Sequence, residues 1–139
     1  MGMFDALNVS ATGLTAERLR MDVTAENLAN AQSTRAANGT GPYKRKEVVL
    51  EQAGSTFADS LQAARGVRVA GIVEDSTPPR RVYDPGHPDA DAQGYVTMPN
   101  VNTVTEMTDL IGASRAYEAN VTAMQTAKSM FARTLDLLK

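Results

Sequence analysis

Large apolar residues recur every seven positions near the end of the chain, at Leu110, Tyr117, Met124, Phe131 and Leu138. Met107, Ser114, Val121, Lys128 and Leu135 run three positions ahead of them. Residues at these intervals share one side of an α-helix and form a coiled-coil-like seam. The pattern predicts one helix from Thr103 to Leu138, about 54 Å long at 1.5 Å per residue. Pro99 keeps it from starting earlier, and Thr103 with Glu106 three residues on has capping-box spacing. Ser114 and Lys128 interrupt the stripe, which makes it too weak for an autonomous coiled coil. Such a helix needs a partner.

A matching stripe lies at the other end. Leu7, Leu14, Met21 and Leu28 are again seven apart, with Phe4, Ala11, Arg18 and Ala25 three before each, so a helix is predicted from about Phe4 to Ala31. Gly13 and the β-branched Val9, Thr12, Thr15 and Val23 lower its intrinsic propensity, and packing must supply most of its stability. The simplest arrangement pairs the two helices in a hairpin. Ala6, Val9, Leu19 and Val23 on one helix and Val104, Ile111, Ala116 and Ala127 on the other fall off the seams. They would stay partly wet in an isolated pair, which argues for further partners.

Between the helices the pattern changes. Residues 32–42, QSTRAANGTGP, contain no aliphatic side chain larger than alanine and read as a loop. Tyr43–Leu50 and Val67–Glu74 are rich in strand formers, the second alternating in period two. Gly54–Gly66 is predicted as a helical turn or a loop. Arg80–Tyr83 and Gly94–Met98 are two shorter strands flanking DPGHPDADAQG, whose Pro85, Gly86, Pro88 and Gly94 exclude long regular structure. The predicted fold class is α+β: long terminal helices paired as a coiled-coil-like hairpin, with a small antiparallel β element of three or four strands inserted between them. The expected divisions are residues 1–32 and 100–139 as one helical core and 33–99 as the insert.

Composition narrows the function. A chain of 139 residues with net charge −2 gives no electrostatic reason to bind nucleic acid or an anionic membrane. Cysteine is absent, which rules out disulfides, thiolate metal sites and cysteine nucleophiles. The N-terminus lacks the basic and apolar regions of a cleavable secretory signal, and no run approaches the roughly 18 apolar residues of a membrane span. His87, the one histidine, clusters with Asp84, Asp89 and Asp91, a set able to hold a divalent ion. Their spacing matches no defined site, and a Pro/Gly turn whose aspartates bond local backbone explains them better. No GxSxG or phosphate-cradling loop is present, and Lys44, Arg45 and Lys46 read as a solvated edge-strand face. No catalytic residue, cofactor or metal is expected.

The N-terminal LTAERLRMDVTAENLANAQST and the C-terminal MPNVNTVTEMTDLIGASRAYEANVTAM resemble the paired signatures of bacterial flagellar rod and hook proteins. The motif positions are Asn27, Asn30, Asn100, Asn102, Arg115, Tyr117 and Asn120. GPYKRK from Gly41, YDPGHPDA from Tyr83, and GYV leading to PNVN are similar to proximal-rod members of that family. The resemblance implies a structural subunit, not an enzyme, that polymerises helically in the periplasmic basal body around an export channel. It implies as partners other rod proteins, neighbouring copies, membrane-ring and export-gate components, and the type III apparatus that exports such chains without a cleaved signal. The assembly interface is then expected on the stripes, at Leu7, Leu14, Met21, Leu28, Met107, Leu110, Tyr117, Val121, Met124, Phe131, Leu135 and Leu138. The runners-up are a soluble coiled-coil adaptor or export chaperone and, more distantly, a metal-dependent hydrolase built on His87.

Overall fold

The computed structural model describes residues 3–36, 41–54 and 66–136. Helix α1 (Met3–Ala29) is followed by strands β1 (Lys46–Gln52), β2 (Val67–Glu74), β3 (Arg80–Tyr83) and β4 (Tyr95–Met98), and then by helix α2 (Thr103–Asp136). The fold is α+β, and the terminal helices pair as the stripes predict. Gly13 of α1 faces Asn120 of α2, and Asn27 is bonded to Glu106. Moving up one helix therefore means moving down the other, so the pair is antiparallel. Its register sets Met3 near residue 130, and the last turn and a half of α2 runs past the start of α1.

The seam itself differs from the predicted one. On α2 the side facing α1 carries Glu106, Ala113 and Ala127, all buried, with Asn120 between the two alanines. Met107, Phe131 and Leu135 are 51%, 37% and 47% exposed, and Lys128 is exposed while Ser114 and Val121 are half-buried. On α1 the buried residues are Ala16, Val23, Thr24 and Asn27, while Leu7, Leu14, Met21 and Leu28 are only half-buried. Val23 and Ala127, expected to stay wet, lie in the contact. Small side chains explain the shift. A Cβ on Gly13 would already stand 3.2 Å from the Asn120 amide nitrogen, so the helices approach along glycine and alanine and leave the large stripe residues on one flank.

The start of α2 is capped by Asn102, one residue before the predicted Thr103. Its Oδ1 accepts from the amides of Val104 at 3.0 Å and Thr105 at 3.4 Å. Glu106 is then one position too far along to complete a capping box, and it turns inward.

The insert forms two separate two-stranded antiparallel sheets, β1–β2 and β3–β4, in place of one β element. Pro78 and Pro79 stand between β2 and β3, where missing N–H donors and fixed φ end the ladder. β1 also starts later than predicted, because Tyr43 and Lys44 precede the ladder. A register shift between Val49 and Leu50 gives β2 one extra residue. The β1–β2 hairpin lies against α1: the Thr12 hydroxyl accepts from the Val67 amide at 3.1 Å, and a Cβ on Gly66 would collide with that hydroxyl at 2.2 Å. Residues 55–65, which contain most of the segment read as a turn or loop, lie outside the described residues.

Candidate functional site

Four segments meet at the base of the helix pair. The last turn of α1 presents Asn27, 1% exposed, and its amide makes four hydrogen bonds. Nδ2 donates to the Lys46 carbonyl at 2.8 Å and to Glu106 Oε2 at 3.0 Å; Oδ1 accepts from the Lys46 amide and the Tyr43 hydroxyl, both at 2.9 Å. That saturates a side-chain amide. Glu106, also 1% exposed, receives Arg45 Nε on its other oxygen at 2.7 Å. The Arg45 amide donates to Asn100 Oδ1 at 2.9 Å, and the Asn100 Nδ2 donates to the Thr77 carbonyl at 3.2 Å. One polar latch thus joins the end of α1, the start of β1, the strand linkers and the first turn of α2.

The electrostatics follow from this packing. The hydrogen bond that Arg45 donates to Glu106 holds its guanidinium charged, the pKa raised. Glu47, Asp75 and Asp109 stand at 3.6 to 3.8 Å from its remaining nitrogens, closer to ion-pair than hydrogen-bond distance. Burial pushes the Tyr43 phenol up to about 12, helped by the charges of Glu26, Glu106 and Glu74. Beside the latch is a cavity of about 280 Å³ lined by Arg20, Thr24, Arg45, Lys46, Glu47 and Asp109, among others. Its three cations and the carboxylates of Glu47, Glu106 and Asp109 balance, and the Thr24 hydroxyl is committed to the Arg20 carbonyl at 2.8 Å. The arrangement fastens segments together; it sets no free nucleophile beside a base.

The helix pair has two unlike sides. The β1–β2 hairpin and its approach bond to Thr12, Glu26 and Asp109. Leu14, Leu28 and Met107 each lie two residues from one of these, about 200° around the helix and so on the opposite side. That opposite side collects Leu7, Leu14, Met21 and Leu28 from α1. On α2 that side carries Met107, which is exposed, and the half-buried Val121, while the half-buried Leu110, Tyr117 and Met124 and the more exposed Phe131 and Leu135 lie nearer the edge of the α1 contact. Val104 and Ile111, at its edge, are 71% and 55% exposed. The expected assembly residues therefore divide: Leu7, Leu14, Met21, Leu28, Met107 and Val121 lie away from the hairpin, and Leu110, Tyr117, Met124, Phe131 and Leu135 border the helix–helix seam. Leu138 lies outside the described residues.

The motif residues divide. Asn27, Asn100 and Asn102 build the latch or cap beside it. Asn30 closes the turn after α1, donating to the Glu26 carbonyl and accepting from the Ser33 hydroxyl, both at 3.0 Å. Asn120 packs on Gly13, Tyr117 is half-buried at the edge of the helix–helix contact, and Arg115 stands exposed beside Leu110 and Ile111. Arg45, Tyr43 and Glu106 were missed as a buried set. Strand alternation was the available signal: Lys44 and Lys46 pair outward with Glu74 and Glu26, and the residue between them must point inward.

Two aspartates of the 84–94 turn bond its own backbone, and the third ties it to the 34–35 segment. Asp84 accepts from the Gly86 amide and Asp91 from the amides of Gln93 and Tyr95. Asp89 takes Thr34 and Arg35, while the Asp89 amide donates to His87 Nδ1 at 3.0 Å. Among the described residues no three histidine, aspartate or glutamate side chains converge as a metal site.

The terminal helices are thus locked by a polar latch, with the insert on one side and apolar residues left open on the other. The family model for flagella basal body rod proteins matches residues 7–36, and that for the C-terminal part of flagellar basal-body rod FlgEFG proteins matches residues 92–137. The chain is 47% identical to the flagellar basal-body rod protein FlgC of Bacillus subtilis, with all of both chains covered. It is 45% identical to that of Borreliella burgdorferi, covering 100% of this chain and 99% of the relative. For the Escherichia coli protein the figures are 43%, 99% and 98%. The chain belongs to the FlgC family of flagellar basal-body rod proteins and is a structural subunit of the rod.

Proposed function

We propose that the subunit enters the proximal rod by burying the bare side of its helix pair against neighbouring axial subunits, polymerising helically around the export channel. Residues 1–32 and 100–139 act as the packing core, and the 33–99 insert contacts neighbours or the outer wall. The reading rests chiefly on one observation: Leu7, Leu14, Met21 and Leu28 of α1 and Val104, Met107, Ile111 and Val121 of α2 lie on the side that the insert leaves open, while the intramolecular contact is built from alanine, glycine and asparagine. Different patches on each copy give heterologous contacts, which extend without closing.

The partners on this reading are other rod proteins, copies of the same chain and, at the base, membrane-ring and export-gate components. The chain reaches the periplasm through the type III export apparatus. It performs no catalysis. The thin intramolecular contact also fits a monomer whose helices become fully ordered on assembly.

The test replaces Leu14 and Tyr117 with glutamate, singly and together, in a cell lacking the native chain. Basal bodies isolated from these cells should lack the subunit and the cells should not swim, while the purified variant keeps the far-ultraviolet dichroism of the parent. Normal incorporation of the double variant would refute the reading.

A further inference from the structure

Glu17 stands inside the leucine stripe of α1. Leu14 lies three residues before it, Met21 four and Leu28 eleven after, spacings that bring all four to one side of the helix. The Glu17 side chain is 16% exposed, and its Oε2 is buried with no hydrogen-bond donor. Arg20 Nε, one turn along, stands 3.3 Å from that oxygen but out of hydrogen-bond geometry. Among the described residues no other cation comes within ion-pair distance of Glu17. Glu106 shows how this fold treats a carboxylate that it shields for its own use: both oxygens receive donors, one from Asn27 and one from Arg45. Glu17 is shielded on one side by its own chain and left under-satisfied there, which asks for a reason.

A subunit packed over the stripe would remove the water that still reaches Glu17. A charge sealed in this way is costly unless an opposite charge and hydrogen-bond donors arrive with the cover. Resting on the assembly reading above, we propose that the neighbouring axial subunit seated on the α1 stripe presents a cationic side chain, lysine or arginine, to the Glu17 carboxylate, among apolar residues that cover Leu14, Met21 and Leu28. The leucines supply adhesion, and the carboxylate selects which surface is admitted. A wholly apolar or an acidic face leaves Glu17 buried without compensation and is rejected.

The test uses three variants of the full chain, Glu17→Leu, Glu17→Lys and Glu17→Gln, each co-expressed with the parent. Mass spectrometry reads the ratio of variant to parent in isolated basal bodies, divided by the same ratio in the unassembled periplasmic pool. Glu17→Leu and Glu17→Lys leave the neighbour's cation buried without its partner and should be under-represented at least about ten-fold, with Glu17→Gln between them and the parent. Followed by far-ultraviolet dichroism, isolated Glu17→Leu should melt no earlier than the parent, because Oε2 has no hydrogen bond to lose. Three results would overturn the proposal. Incorporation of Glu17→Leu as readily as the parent means an apolar cover; parent-level incorporation of Glu17→Gln means a neutral donor in place of a cation; early melting of Glu17→Leu means that the carboxylate serves the fold. In each of these Leu14→Glu is still excluded from the rod and the assembly reading stands. If Leu14→Glu is incorporated normally, that reading fails whatever the Glu17 variants do.

Discussion

Replacing Arg45 with alanine strikes the latch at its short cationic contact to Glu106. The Glu106 carboxylate is 1% exposed and would keep one hydrogen bond, from Asn27, together with the favourable field at the start of α2. Removing one member of a buried pair costs about 3–5 kcal/mol, since the other charge is left uncompensated. Arg45 is itself one-fifth exposed, and water can enter where its side chain stood, so the lower figure, about 3 kcal/mol, is expected. Urea unfolding followed at 222 nm reads this directly: with a slope of about 1.5 kcal/mol/M, the midpoint should fall by about 2 M. Domains of this size have a total stability of about 5–15 kcal/mol, so the loss is large. Arg45→Met combined with Glu106→Leu removes both charges and should recover most of it. A shift below about 0.5 kcal/mol for Arg45→Ala, or a double variant weaker than the sum of the singles, would refute the view that the latch is held by a buried charge pair.

Further expectations follow from the same geometry. Asn27→Ala leaves the Tyr43 hydroxyl and the Lys46 amide without their acceptor and should cost about 2–3 kcal/mol, read by the same urea titration. The folded-state pKa of Tyr43 is raised to about 12, above the roughly 10 of a free phenol; its contribution is therefore full below pH 10 and lost between there and 12. Absorbance at 295 nm should show one late phenol that disappears in Tyr43→Phe. Asp89 is held below the ordinary carboxylate range by hydrogen bonds from Arg35 and Thr34. Its tie to the 34–35 segment is present at neutral pH and should be lost only as pH falls below about 4. Nuclear magnetic resonance of the Thr34 signals follows that loss, and Asp89→Asn should abolish the acid transition. Gly13→Leu should cost about 1–3 kcal/mol by wedging the helices apart at Asn120, seen as a lower thermal midpoint.

Much of this fold was legible because the helical repeat is long. Two stripes at seven-residue spacing give the existence, pairing and approximate ends of both helices, and β2 was bounded correctly by its alternation. The face that meets the partner helix was not legible from hydrophobicity. Leu7, Leu14, Met21 and Leu28 form the more conspicuous stripe, but Ala16, Ala113, Ala127 and Gly13 allow the closer approach, and close approach decides an intramolecular contact when another surface is available to the large residues. The latch was invisible for a different reason. Asn27 and Glu106 are 79 residues apart, and polar residues on helices read as solvated until something shows which cation and which amide come to meet them.

Those two failures have one cause, and it bears on function. A chain that folds alone hides its largest apolar residues and exposes its charges. This one buries Glu106 and Asn27 and leaves Val104, Met107, Ile111 and Leu135 in water. The polar latch holds the helices in register without consuming the apolar stripe, because hydrogen bonds at the base and alanine contacts along the seam need none of the leucines. On the reading proposed above, the latch sets the register of the pair, and the face left open is where another subunit packs. Substitutions should separate accordingly: latch variants such as Arg45→Ala cost about 3 kcal/mol, whereas bare-side variants such as Leu14→Glu, at a half-buried position, cost no more than about 1 kcal/mol and, on the proposed reading, remove the subunit from the rod. If Leu14→Glu instead unfolded the isolated chain as readily as Arg45→Ala does, the leucine stripe would belong to the fold and the division of labour argued from burial would be wrong.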